Sequence, residues 1–97
     1  MDTYLIFSCI KPTVASDPKD FPVVAGLVRS KLVEECPGVK WKASYALMGR
    51  FDVLDIVEAD DPKDVERATM VIRANGHSTT ETMLATPWSE FLSALGN

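Results

Sequence analysis

The sequence predicts an α+β domain: a four-stranded antiparallel sheet in the order β, α, β, β, α, β, two long helices on one face, and a short helix at the C-terminal end. Three observations carry this. Four stretches of seven to ten residues are rich in β-branched, aromatic and other apolar side chains, as strands are. Two stretches between them repeat apolar residues at helical spacing and begin at an aspartate close to a proline. The second and third strand-like stretches follow each other directly across Gly49-Arg50-Phe51-Asp52, as a hairpin does.

Residues 3–10, TYLIFSCI, are apolar on both parities, as in a strand covered on both faces. Residues 11–19, KPTVASDPK, hold two prolines and read as a loop. Asp20 is placed to cap the first helix, with Pro22 in the opening turn, where its missing N–H is no loss. Phe21, Val24, Val28 and Leu32 then form a stripe, Arg29, Lys31, Glu34 and Glu35 lie mostly opposite, and Cys36-Pro37-Gly38 ends the run. Residues 39–48 alternate: Val39, Trp41, Ala43, Tyr45 and Leu47 on one side, Lys40, Lys42, Ser44, Ala46 and Met48 on the other. Gly49 suits the turn because glycine accepts a positive φ, and residues 53–59 form the third strand. Asp60-Asp61-Pro62 opens the second helix with an acidic cap and a proline behind it. Val65, Ala68, Thr69 and Ile72 make its stripe, and Asn75-Gly76 closes it. Residues 77–86 form a threonine-rich strand, and Thr86-Pro87 caps a last helix with Trp88, Phe91, Leu92 and Leu95 on one side. Residues 1–97 are expected to make one domain.

A sheet with both helices on one side leaves its other side bare. An even-length hairpin turn sets Tyr45 opposite Leu54 and Ser44 opposite Asp55. One face then carries Trp41, Ala43, Tyr45, Leu47, Leu54 and Ile56, dense enough to receive the helices. The other carries Lys42, Ser44, Ala46, Met48, Val53, Asp55 and Val57. That second face is half apolar, and such a patch in water calls for cover. The expectation is a homodimer, or a multiple of it, with two sheets face to face around a barrel-like space. The small Ser44 and Ala46 leave room there for a small-molecule ligand, with Lys42 and Asp55 as polar contacts. The competing expectation is a filled interface in which Lys42 and Asp55 only pair with each other.

Composition removes several function classes. The net charge is −4 with a pI near 4.8, and the ten Lys and Arg residues are scattered, so no nucleic-acid partner and no anionic membrane surface is expected. Two cysteines without a CxxC spacing and one histidine make no zinc signature, so no metal and no cofactor is expected. Cys9 and Cys36 read as small buried hydrophobes; a redox pair requires the first strand and the helix end to bring their sulfurs together. The start, Met1-Asp2-Thr3, lacks a basic segment, and the apolar run Tyr4–Ile10 is too short for a signal peptide or a span, so a cytoplasmic location is expected.

Residues 39–59, VKWKASYALMGRFDVLDIVEA, run from a strand through a Gly-x-aromatic-Asp turn into a strand and an acidic turn before a helix. This resembles the GYD domain family, with Gly49-Arg50-Phe51-Asp52 as the motif, Glu58-Ala59-Asp60-Asp61 behind it and Thr80-Glu81-Thr82 in the closing strand. The likeness covers residues 39–86, and Phe51 stands where the family usually has tyrosine, which removes a hydroxyl. The ligand-sensing domain of the Lrp/AsnC regulators has a similar hairpin. Both resemblances imply a ferredoxin-like subunit in a dimeric α/β barrel, and neither supplies a catalytic residue.

In the motif itself, Gly49 permits the turn, Asp52 is placed to accept from turn amides, and Phe51 to pack beside the hairpin. The functional alternative makes Arg50 an anion clamp at the barrel mouth. The ligand-contact candidates are thus Lys42, Ser44, Met48, Arg50 and Asp55. Two weak catalytic candidates stand beside them: Asp55 as a base on an inner face, joined by Glu81 only if that strand's phase allows, and His77 as a general base or heme ligand of the barrel-monooxygenase kind. No phosphate loop, GxSxG elbow or HExxH occurs. Three roles follow in order: a regulatory or accessory dimer that binds a small ligand, a small cofactor-independent barrel enzyme of monooxygenase or isomerase type, and a purely structural assembly partner.

Overall fold

The computed structural model describes residues 1–11 and 17–96. Residues 12–16 of the expected loop, and Asn97, lie outside the described residues. The elements are β1 (Asp2–Ile10), α1 (Phe21–Glu35), β2 (Lys40–Ala46), β3 (Val53–Ala59), α2 (Pro62–Gly76), β4 (Ser78–Ala85) and α3 (Trp88–Gly96), with a 3-10 turn, Pro18–Asp20, leading into α1. All pairings are antiparallel and the strand order is β2-β3-β1-β4, so the expected ferredoxin-like α+β fold is present.

Local chemistry explains the helix starts. Asp61 Oδ1 accepts from the Lys63 amide at 2.9 Å, capping α2 just before Pro62. At α1 the cap differs from the expectation. Asp20 is already helical and makes no side-chain cap bond, whereas Asp17 Oδ1 takes the Lys19 amide at 3.0 Å and caps the 3-10 turn. Two aspartates spaced around prolines look alike in sequence; the extended backbone at Asp17 decides between them.

The hairpin parity holds as expected, with Tyr45 opposite Leu54 and Ser44 opposite Asp55. Below Ala43 it slips: Ala43 faces Ile56 but Trp41 faces Val57, which makes Lys42 an extra residue in a β-bulge. The bulge turns Trp41 onto the side of Ser44 and Ala46.

The helices cover the face opposite to the expected one. The buried sheet residues are Tyr4, Ile6, Ser8, Val57, Ala59 and Ser78, and the register puts Val53, Asp55, Ser44 and Ala46 on their side. Ala43, Tyr45, Leu54 and Ile56 lie instead on the bare side, with Leu5, Phe7, Cys9 and Met83. The reason is physical: both faces of this sheet are apolar, so counting apolar bulk along the hairpin does not distinguish them. The central strand decides, because Ile6 and Val57, both fully buried, meet Val65, Ala68 and Ile72 of α2.

The two helices pack on each other, and α2 reaches the sheet, but α1 stands off it. Gly76 allows the close approach of the helices: a Cβ there would sit 3.3 Å from Val28 Cγ2. Only Leu32 of α1 is buried. The third helix touches no other element among the described residues, and its Trp88, Phe91, Leu92 and Leu95 are exposed. No helix among the described residues is long and apolar enough to cross a membrane.

Candidate functional site

Because α1 stands away from the sheet, a cavity of about 950 Å³ opens between its inner stripe and the β2-β3-β1 part of the sheet. Phe21, Val24, Val28 and Leu32 form the helical wall, Trp41 and Val53 part of the opposite wall, and the exposed Lys11 and Arg29 the rim. The volume is that of a small-molecule site, and the lining is mostly apolar.

One polar cluster interrupts it. The Ser44 hydroxyl donates to Asp55 Oδ1 at 2.5 Å, and the Trp41 indole N–H lies 3.2 Å from both Asp55 Oδ1 and Ser44 Oγ. The bulge at Lys42 makes this possible, since it brings Trp41 round to the carboxylate. Two residue pairs further along the same face, Ser8 Oγ is buried without a hydrogen-bond partner and borders the cavity. Asp55 has no cationic partner: the ion pairs among the described residues are the Met1 ammonium with Asp60, at 3.6 Å, and Lys42 with Glu58, at 3.8 Å.

Cys36 also borders the cavity, where burial pushes its thiol up, against the pull of Arg67 and with smaller upward pushes from Glu35 and Asp64. A thiol held in its neutral form is a poor nucleophile and a poor metal ligand. No cluster of metal-ligating side chains occurs among the described residues. The redox pair does not form. Cys9 lies on the bare face and donates to the Arg50 carbonyl at 3.2 Å, while Cys36 belongs to the core under the helices, and both are free.

Of the residues singled out from sequence, Ser44 and Asp55 come together in this cavity; the others do not join them. Lys42, the bulged residue, reaches Glu58 rather than Asp55. Met48 is fully exposed at the hairpin tip. Arg50 is exposed and lies over the Phe51 ring, 5.2 Å from its centroid. Glu81 pairs with Phe7 on the bare face, opposite to Asp55, so no carboxylate pair exists there. The helix-facing side expected for Trp41 is where it lies, but its meeting with Ser44 and Asp55, the part of Ser8 and the stand-off of α1 were not anticipated. Ser8 carried a signal, a small polar residue on the Tyr4-Ile6 parity of a largely apolar strand; the bulge carried none, because the alternation through Lys42 is unbroken in sequence.

The Gly-x-aromatic-Asp motif is a fastening. Gly49 takes φ +146°, the Phe51 ring lies 4.9 Å from that of Phe7, and Asp52 ties the hairpin to β1. Its Oδ2 accepts from the Ile10 amide at 2.7 Å and its own amide donates to the Ser8 carbonyl at 2.8 Å. The partner is thus the neighbouring strand and not, as expected, the turn.

His77 is no strand residue: it ends α2 in the left-handed region, φ 49° and ψ 49°, exposed and outside the cavity lining that its neighbours Gly76 and Ser78 join. A side chain in that region carries a steric cost that glycine avoids. His77→Gly is therefore expected to raise stability by about 0.5–1 kcal/mol, read as a higher midpoint in urea unfolding. A loss of more than 1 kcal/mol would give the imidazole a structural contact that the fold does not show.

The GYD domain profile matches residues 4–95. A protein of Thermus thermophilus described as a glutamine synthetase and cystathionine beta-lyase binding protein is 28% identical over 95 residues, which is 98% of this chain and 99% of that one. Among solved structures, a hypothetical protein from Pyrococcus horikoshii shares 26% identity at a TM-score of 0.57, covering 90% of this chain and 92% of its own. A feast or famine regulatory protein from M. tuberculosis, complexed with L-methionine, superposes at a TM-score of 0.61 with 17% identity, over 90% of this chain. The chain spans about half the length of that regulator, 51%, and at this identity the likeness concerns the fold.

Proposed function

This chain belongs to the GYD domain family, and we propose that it is a self-associating accessory protein that holds a small, largely apolar ligand in the cavity beneath α1. The observation that carries this reading is the cavity itself, about 950 Å³ of mainly apolar wall with one hydrogen-bonded carboxylate on it. The ligand site thus moves from the space between two sheets to the space within one subunit, and keeps Ser44 and Asp55. The partners of Asp55 are a hydroxyl and an indole N–H, which fix the carboxylate in place as a binding group.

The occupant of the bare sheet face, in this reading, is a second copy of the chain. Leu5, Phe7, Leu54 and Ile56 are only partly covered there and Tyr45 is exposed, and a contiguous apolar patch of this kind marks an interaction surface. The description of the Thermus relative supports an accessory role, and the methionine complex shows that this fold accompanies small-ligand binding in another protein. A second reading, docking onto a metabolic enzyme, is favoured by α3, whose apolar side chains are exposed and which packs on no other element among the described residues.

Native mass spectrometry of the protein as isolated tests the proposal. The expected result is a dimer, or a multiple of it, with added mass that denaturation releases. Ala25→Phe, which projects a ring from the exposed inner side of α1 into the cavity, is expected to remove the added mass and leave the dimer intact. Added mass that survives this filling would place the ligand elsewhere; a wild-type protein that retains none, and whose unfolding temperature no small apolar compound raises, would remove the ligand role.

A further inference from the structure

We infer that the cavity selects an organic cation, an ammonium or amidinium group on an apolar body, with Asp55 as its counter-ion. This rests on the reading of the cavity as a ligand site and adds the sign of the ligand.

Around Asp55 the cavity wall has more open acceptors than free donors. The two side-chain donors beside the carboxylate are already used. Ser44 gives its hydroxyl proton to Asp55 Oδ1, and Trp41 shares its indole N–H between that oxygen and Ser44 Oγ. Acceptors are left over. Both donors go to Oδ1, and Asp55 Oδ2 takes none among the described residues. The Ser8 hydroxyl, on a residue only 3% exposed, has no partner among the described residues and is free both to donate and to accept, so it favours neither kind of ligand. At the carboxylate the neighbouring donors are spent and Oδ2 is open, so a ligand that meets it there must bring a donor of its own.

Charge decides which donors. Beside the Cys36 thiol, which burial holds in its neutral form, four charged groups line the cavity: Lys11, Arg29, Asp52 and Asp55. Asp52 is already bonded to the Ile10 amide, and Lys11 and Arg29 are exposed at the rim, where water and salt screen them. Asp55 is partly buried between apolar walls, with no cation to neutralise it. An attraction across a lower dielectric exceeds one at the exposed rim. The ligand's head group is therefore a cationic donor, and its body fills the space along Phe21, Val24, Val28 and Leu32.

Three probes that share one apolar body test this: 3-phenylpropylammonium, 3-phenylpropan-1-ol and 3-phenylpropanoate. Each is titrated into the wild-type protein at neutral pH, and the indole N–H resonance of Trp41 is followed, with that of Trp88, remote on α3, as the internal control. The ammonium is expected to bind at least about tenfold more tightly than the alcohol, as a charge-assisted bond does, and the carboxylate more weakly than either. In Asp55→Asn the ammonium is expected to lose its advantage and to bind no more tightly than the alcohol. Equal binding of ammonium and alcohol, or tightest binding of the carboxylate, would overturn the charge assignment and leave the ligand cavity standing. If none of the three moves the Trp41 resonance, the cavity reading itself fails. The wild-type comparison decides without the variant, should Asp55→Asn not fold.

Discussion

Ile6→Ala is expected to lower stability by about 2–5 kcal/mol, the range found when large aliphatic side chains are truncated in a closed core. Ile6 is fully buried at the centre of β1, between Asp55 on β3 and Thr82 on β4, in the cluster that α2 covers. Its surroundings cannot collapse far, because two strands hold β1 on either side. A domain of 97 residues has a total stability of only about 5–15 kcal/mol, so this single change removes a large part of it. The corresponding drop in melting temperature, at about 4–8 °C per kcal/mol, is roughly 10–40 °C. Urea unfolding at a fixed protein concentration is the appropriate measurement, since any self-association adds a concentration-dependent term. A loss below about 1 kcal/mol would mean that the core does not lie on this face.

Ile56→Arg is expected to do the opposite: to abolish self-association and leave the fold nearly intact. Ile56 lies on the bare face, between Leu5 and Ala43, and is only partly covered by its own chain. In a two-fold face-to-face pairing the same position is presented by both copies. Two guanidinium groups would then be buried near each other without partners, a penalty of about 3–5 kcal/mol or more, which weakens the dimer by 100-fold or beyond. Sedimentation or light scattering at micromolar concentration reads the result directly as a monomer, with the unfolding midpoint of the monomer little changed. A dimer that persists would show that the bare face is not where the copies meet, and α3 would become the remaining apolar surface to test.

The outcome for the candidate site shows where sequence reasoning reaches. Ser44 and Asp55 were found together because hairpin parity is a local property: an even turn sets them opposite each other whatever the rest of the chain does. The companion assignments of Lys42 and Met48 depended on which face is inside and on an unbroken alternation, while that of Arg50 rested on its place in the turn motif. Both conditions fail, the first because β1 and α2 choose the other face, the second because Lys42 is looped out in the bulge. His77 was read as the first residue of a strand because it follows Asn75-Gly76, a common helix ending; α2 instead runs on through Gly76 and closes on the histidine itself.

What the sequence by itself determined is the number, order and type of the elements, the aspartate-proline start of α2 and the register of the hairpin. These rest on contacts within a turn, a cap or a pair of adjacent strands, and the residues concerned are neighbours in the chain. Only the tertiary structure decided that Ile6 and Val57 point into the core while Leu5 and Ile56 point out, that Trp41 crosses to the side of Asp55, and that α1 leans on α2 and leaves a cavity over the sheet. The physical reason is common to all three. This sheet is apolar on both faces, so its alternation carries no sign, and the choice between the faces is made by packing among elements far apart in the chain.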